Sequence, residues 1–388
     1  MFLEPSEKVT FWTTVAWTLP FDLGRFIDPV LRRISEVKMR NALMETTVVN
    51  FTNVSSLVVV DGCGPSSNNR PGPLLVNAYT ACASNLRTLG LHAMSANFNS
   101  FFPPNTSMLT SLEGVSFTFS PRDGSSADPE AASTFLQAIA STLTTLNISF
   151  NNTSDEPSLV LQRFSRQKSF PKLATFSLFH SEPLALPSPT LVQFLNQHAD
   201  TLECLSLQHA RSSPFASQWP DDLDPSFFPV LPHLETLNIR SGSSYRNIPE
   251  LASSEGLDAA RGYIQHSTGT LTTLGLTHCS FTLRDLGMLL DFLGRGFSGN
   301  AEGAGLKNLD VSIQILSPQM LDMLAEKLPR LAKLKVDFED LRSNDGGDIP
   351  PWTGEGGRAG LEDLTHEVQL FFVVLFLSIL TFSFSWMT

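Results

Sequence analysis

His180, His209 and His278, with Cys279 beside the last, are the side chains best placed by type and spacing to hold a metal ion. Each histidine stands seven residues after a leucine (Leu173, Leu202, Leu271), so each takes the eighth position of a similar short unit. If such units stack as neighbouring strands about 5 Å apart, imidazoles on successive units come within reach of one cation. No carboxylate or further histidine is spaced to complete the shell. The spacing therefore predicts solvent-exposed turn histidines and no metal site. Cys63, Cys82, Cys204 and Cys279 lie far apart without C-x-x-C spacing, which speaks against a zinc ribbon or redox pair and for free buried thiols of a reducing compartment. Asp61-Gly-Cys-Gly64 and Gly294-Arg-Gly296 lack the flanking strand and Lys-Ser/Thr of a phosphate-binding loop and read as turns. No G-x-S-x-G turn or Ser, His and Asp grouping can be assembled. The expectation is a non-enzyme with no catalytic, cofactor or metal-binding residue.

The element that positions these side chains is Leu143-Thr-Thr-Leu-Asn-Ile-Ser-Phe-Asn151, an L-x-x-L-x-I-x-x-N unit. Its apolar first, fourth and sixth positions point inward from a short strand while the third, fifth and seventh face outward. Asn151 at the ninth position suits the turn out of the strand. Copies begin at Val54, Leu86, Leu112, Leu143, Leu173, Leu202, Leu234, Leu271, Leu306 and Leu331, at intervals of 25 to 37 residues by subtraction. One unit cannot bury its own apolar face, whereas stacked copies can. The unit resembles a leucine-rich repeat. The fold class it implies is α/β: a solenoid of about ten repeats over residues 51–336, with a curved parallel sheet on the concave face and helices on the convex face.

Helices are expected between the strands. Ser188-Pro189 and Ser317-Pro318 each supply an N-cap and a first helical residue, and further helices fit Ala131 to Ala140, Ser158 to Lys168, Leu257 to His266 and Thr282 to Leu293. Phe170-Pro171, Leu231-Pro232 and Leu328-Pro329 stop a helix two residues ahead of the next strand. Residues 61–73 and 212–227 read as surface loops. The outward positions form a small, polar face from which candidate partner-binding residues are drawn: Thr145, Asn147, Phe179, Ser206, Gln208, Asn238, Arg240, Thr273, Asn308 and Asp310. Phe179 and Arg240 are its aromatic and arginine anchors, the types that dominate tight interfaces. Six N-x-S/T triplets occur; Asn147 lies within a strand, where no glycan is expected.

Over about residues 50 to 340, the F/L-P-x-L-x-x-L-x-L lead and the irregular repeat length are similar to the repeat region of F-box leucine-rich-repeat proteins. In that family the repeats hold a substrate and an N-terminal F-box holds a ubiquitin-ligase scaffold, so the resemblance implies a substrate-recognition adaptor. Leu19-Pro20 and a helix over 28–43 match the start and end of an F-box, with too few residues between them for its helices; no F-box is recognisable. On the residues alone, a protein-interaction scaffold is the primary expectation, the adaptor its alternative, and an enzyme of unknown type the more remote one.

The ends differ from the repeats. Glu4, Glu7 and Lys8 replace the basic start of a secretory signal, so residues 1–50 are expected as a capping region closed by the helix from Asp28 to Leu43. Its face of Arg32, Arg33, Lys38 and Arg40 reads as a solvated surface. Asp+Glu 38 against Lys+Arg 26 gives a net charge of −12 and argues against a nucleic-acid partner. Residues 337–367 form an acidic, Gly/Pro-rich linker. Residues 368–387 carry no charge, and thirteen of the twenty are Leu, Ile, Val or Phe. Twenty helical residues span about 30 Å, a hydrocarbon core. That segment is expected to be a C-terminal transmembrane helix anchoring cytosolic repeats to an intracellular membrane, with a soluble cytoplasmic chain as the alternative. The partner protein is left unidentified.

Overall fold

The structure, a computed structural model, describes residues 9–12, 54–60, 73–94, 101–102, 105–120, 129–150, 157–166, 169–180, 188–209, 228–241, 261–265, 267, 269–297 and 305–341. Its strands are β1 (Val9–Trp12), β2 (Ser56–Val60), β3 (Thr88–Met94), β4 (Gly114–Ser120), β5 (Thr145–Phe150), β6 (Thr175–His180), β7 (Cys204–His209), β8 (Thr236–Ser241), β9 (Thr273–Phe281), β10 (Asn308–Leu316) and β11 (Lys333–Leu341). They form one sheet in sequence order, every described pairing parallel. Each of the ten units supplies one strand, β2 to β11; β1 is an eleventh that the repeat spacing does not predict. Helices α1 (Pro73–Cys82), α2 (Pro129–Ala138), α3 (Pro157–Ser165), α4 (Pro189–Gln197), α5 (Leu283–Phe297) and α6 (Pro318–Lys327) fall between strands, and 261–265 is also helical. The expected α/β solenoid is the fold.

Alternation builds the core. From β2 to β10 the fourth and sixth positions are at most 2% exposed. Leu146, Phe176, Leu205, Leu237 and Leu274 pair in straight succession, one apolar column through five strands. A second device holds the register ahead of the strands. The carbonyl of Glu113 accepts the N–H groups of Thr144 at 2.7 Å and Thr145 at 3.0 Å, and the same two-donor bond recurs at every step from Ser55 to Lys307. A slip by one residue would break this bond and turn the apolar column outward together.

The leads alternate in kind. Units at Leu173, Leu234 and Leu331 are preceded by Pro171, Pro232 and Pro329, while those at Leu143, Leu202 and Leu271 are preceded by Thr142, Thr201 and Thr270. Each threonine hydroxyl donates to the first-position carbonyl of the preceding unit: Thr142 to Leu112 at 2.7 Å, Thr201 to Leu173 at 2.9 Å and Thr270 to Leu234 at 2.8 Å. The helix starts follow the expected chemistry. Ser188 Oγ accepts the Leu191 N–H at 3.2 Å and Ser317 Oγ the Met320 N–H at 3.4 Å. Thr282 and Asp285 cap α5 reciprocally, Asp285 N–H donating to Thr282 Oγ1 and Thr282 N–H to Asp285 Oδ2, both at 3.2 Å.

Four features differ from the sequence reading. Helix α1 starts at Pro73, the last residue of the expected 61–73 loop, because proline at a first helical position has no N–H to lose. The β9–β10 pairing passes from Leu276↔Val311 to Phe281↔Ile313, so β9 spends five residues where β10 spends two. The eighth position, taken as an exposed turn, is inward at Phe119, Phe150 and His180. Ala93, Phe119, Phe150, His180 and His209 pair in succession there. Phe119 stacks on Phe150 with centroids 5.1 Å apart, and the Phe150 and His180 rings meet in a T-shaped arrangement at 5.9 Å. The first five residues of the expected 337–367 linker continue β11, while the helix expected over 28–43, the linker beyond Leu341, the 368–387 segment and Asn151 lie outside the described residues.

Candidate protein-binding face

His180, expected at the surface, is 5% exposed. An even position in a period-two strand faces the core, and an imidazole there continues a column of phenyl rings. His209 stands opposite it in register, but His278 falls in the β9 irregularity, where Phe281 takes the place opposite Ile313. The three histidines therefore do not form one row. Among the described residues, no group of three His, Cys, Asp or Glu side chains could hold a metal ion.

The odd positions assemble the outward face. Thr145, Thr175, Cys204, Thr236, Thr273 and Asn308 form one row across β5 to β10, and Asn147, Ser177, Ser206, Asn238, Gly275 and Asp310 a second. Ser149, Phe179, Gln208, Arg240 and Thr277 form the third. All ten candidate residues lie in these rows. Phe179, Gln208 and Arg240 are consecutive, as are Ser206 and Asn238. Arg240 is exposed and the other nine are half-buried.

Within the face the polar groups partly serve one another. Asn308 Nδ2 donates to Thr273 Oγ1 at 2.9 Å. Asp310 Oδ2 meets Lys335 Nζ at 3.0 Å, and Lys335 lies 3.9 Å from Asp337. Gly275 leaves room that Asn238 uses: a Cβ at Gly275 would collide with Asn238 Oδ1. The chemistry on offer is hydrogen bonding from hydroxyls and amides, with one cation and one paired anion. Cys204 adds no nucleophile, because burial raises its thiol pKa and keeps it protonated near neutrality. His92, a seventh-position residue of β3 outside the candidate set, has its pKa lowered by burial and is neutral at pH 7.

A second surface was not legible from strand alternation. Lys172, Asp200, Glu203, His233 and Glu235 line an open groove of about 410 Å³ just ahead of β6 to β9. Its residues come from the leads and the second position, before the strand begins. Glu203 and Glu235 are exposed neighbours.

No family model and no curated protein matches this chain. Among solved structures, the leucine-rich repeat-containing protein LegL7 from Legionella pneumophila is similar to it, with 16% sequence identity, 81% of this chain and 82% of that chain covered, and a TM-score of 0.36.

Proposed function

We propose that the protein is a protein-interaction scaffold of the leucine-rich-repeat type, holding a protein partner on the outward face of β5 to β10. The observation that carries this reading is the residue-for-residue register of β5 to β9, with β10 joining the first two rows, which sets small polar side chains in three straight rows that include Phe179 and Arg240. Such a face suits a partner bound by many hydrogen bonds spread over a wide surface, with binding energy concentrated at the aromatic and the arginine. Affinity capture with the full chain and with a Phe179→Ala/Arg240→Ala variant tests it. Proteins lost from the variant, with its circular dichroism unchanged, are the partners; identical recoveries from both chains sink the assignment. Recovery of ubiquitin-ligase subunits would move the role to a substrate adaptor, as the F-box family resemblance implies.

The membrane tether belongs to the same proposal and rests on the apolar composition of 368–387. Among the described residues no helix is long and apolar enough to cross a membrane, and this segment lies outside them. The scaffold is then held at an intracellular membrane with its repeats on the cytosolic side. An alkaline carbonate wash of membranes from cells expressing the full chain or a version ending at Gly360 decides the point. The full chain stays with the membrane and the shorter one leaves it; two soluble chains end the tether.

A further inference from the structure

We infer that two copies of this chain pair through β11, antiparallel, about a twofold axis at Val336. The inference is independent of the outward-face proposal and begins at the end of the sheet. β11 bonds to β10 on one side and is the last strand in the order, so among the described residues its other edge has no neighbour. It runs nine residues, Lys333-Leu-Lys-Val-Asp-Phe-Glu-Asp-Leu341, without proline or glycine. Open edges are usually blunted by shortness, proline, a bulge or charged side chains; this one is long and free of proline, and its guard is its charges alone. Its inward side chains are also incompletely covered. Leu334, Val336 and Phe338 are half-buried, whereas the fourth and sixth positions of β2 to β10 are at most 2% exposed.

The strand's charge pattern specifies the occupant. Alternate residues of the strand sequence read Lys333, Lys335, Asp337 and Glu339, a series whose sign inverts about Val336. In an antiparallel pair centred there, Lys335 of one copy stands opposite Asp337 of the other, and Lys333 opposite Glu339. Leu334 stands opposite Phe338, and Val336 opposite its own copy. Opposite charges directly across an antiparallel pair are favourable, and like charges are not. A slip of two residues places Lys335 opposite Lys335 in one direction and Asp337 opposite Asp337 in the other. A slip of one puts charged residues opposite apolar ones. Of these registers only the one centred on Val336 sets opposite charges across Lys335 and Asp337 and apolar residues across Leu334 and Phe338, and it is self-complementary as a twofold contact requires. The charges are within reach, since the side chains of Lys335 and Asp337 are 43% and 45% exposed. The intrachain contacts of Lys335 with Asp310 and Asp337 add the partner's Asp337 to an existing network.

Charge exchange tests the pairing, using the full chain in a mild nonionic detergent and sedimentation to read its oligomeric state. The unmodified chain sediments as a dimer. Asp337→Lys sets Lys opposite Lys twice and Lys335→Asp sets Asp opposite Asp twice, so each variant alone dissociates at a concentration raised about tenfold or more. An equimolar mixture of the two restores both attractive pairs and sediments as a heterodimer, which also shows that each variant is folded. A monomeric unmodified chain, as when residues 361–388 cover the edge, overturns the inference. So does a dimer indifferent to both substitutions, or two monomeric variants that do not associate on mixing.

Discussion

Replacing His198 with phenylalanine removes two hydrogen bonds and keeps the ring. His198 follows α4 and is 3% exposed. Its Nε2 accepts the Phe170 N–H at 3.1 Å, and its Nδ1 lies 2.7 Å from the Phe194 carbonyl. Those partners require a neutral imidazole with its proton on Nδ1. The ring stacks on Phe170 with centroids 5.3 Å apart and packs against Phe194 at 4.6 Å, contacts that a phenyl ring reproduces. The variant leaves the Phe170 N–H buried without its acceptor, a cost of about 1–3 kcal/mol. Read as hydrogen exchange, that is a fall in protection of the Phe170 amide of about 5- to 150-fold. Urea unfolding at pH 7.5 should show a loss of the same order. Acid narrows the gap. Burial lowers the His198 pKa, partly opposed by the Phe194 hydrogen bond, so the unfolded chain binds the proton more readily than the folded one. The stability that neutral His198 contributes is therefore complete above its unfolded value of about 6.5 and is lost as pH falls below it toward the folded value. At pH 5.5 the unmodified chain should have lost ground relative to His198→Phe. Unchanged Phe170 protection, or an equal stability gap at both pH values, would refute this account.

Three further outcomes follow from the packing. Thr201→Val deletes the hydroxyl bond to Leu173 while keeping the side-chain shape, and should cost about 0.5–1.5 kcal/mol in urea unfolding. Gly262→Ala places a methyl group inside the Phe228 ring in a filled interior, which should cost about 1–3 kcal/mol and lower the thermal midpoint. Cys82 is buried with its thiol pKa pushed up to about 11, so iodoacetamide at pH 8 should label half-exposed Cys204 first and reach Cys82 on unfolding, as peptide mass spectrometry would show.

The repeats were legible because a period-two strand carries its burial in its residue types. Leu146, Leu205, Leu237 and Leu274 announce one column, and the residues between them announce the outward rows. Ser188 and Ser317 were equally plain, a cap followed by proline being a local signal. What escaped were places where a polar residue does an apolar residue's work. His180 reads as a turn residue until Phe119 and Phe150 are aligned with it at the same position; those phenylalanines were the available signal. His198 gives no sign in sequence, since its partners Phe170 and Phe194 belong to different units and meet only after stacking. The β9 irregularity hides in an interval of 35 residues that a longer loop would explain as well. On the candidate face, alternation places the side chains but says nothing of the Asp310–Lys335 pair, which joins different strands.

The unequal repeat lengths have a mechanical consequence. The strands follow one another in sequence order, so β1 and β11 lie at opposite ends of the sheet and tension applied to them loads one terminal strand at a time. Each strand that peels away releases the chain stored back to its neighbour. From the C-terminal side those stores are 25, 35 and 37 residues, by subtraction among Leu331, Leu306, Leu271 and Leu234. Fully drawn out they lengthen the tether by about 90, 125 and 130 Å. In an optical trap the spacing of successive force peaks then identifies which strand has yielded.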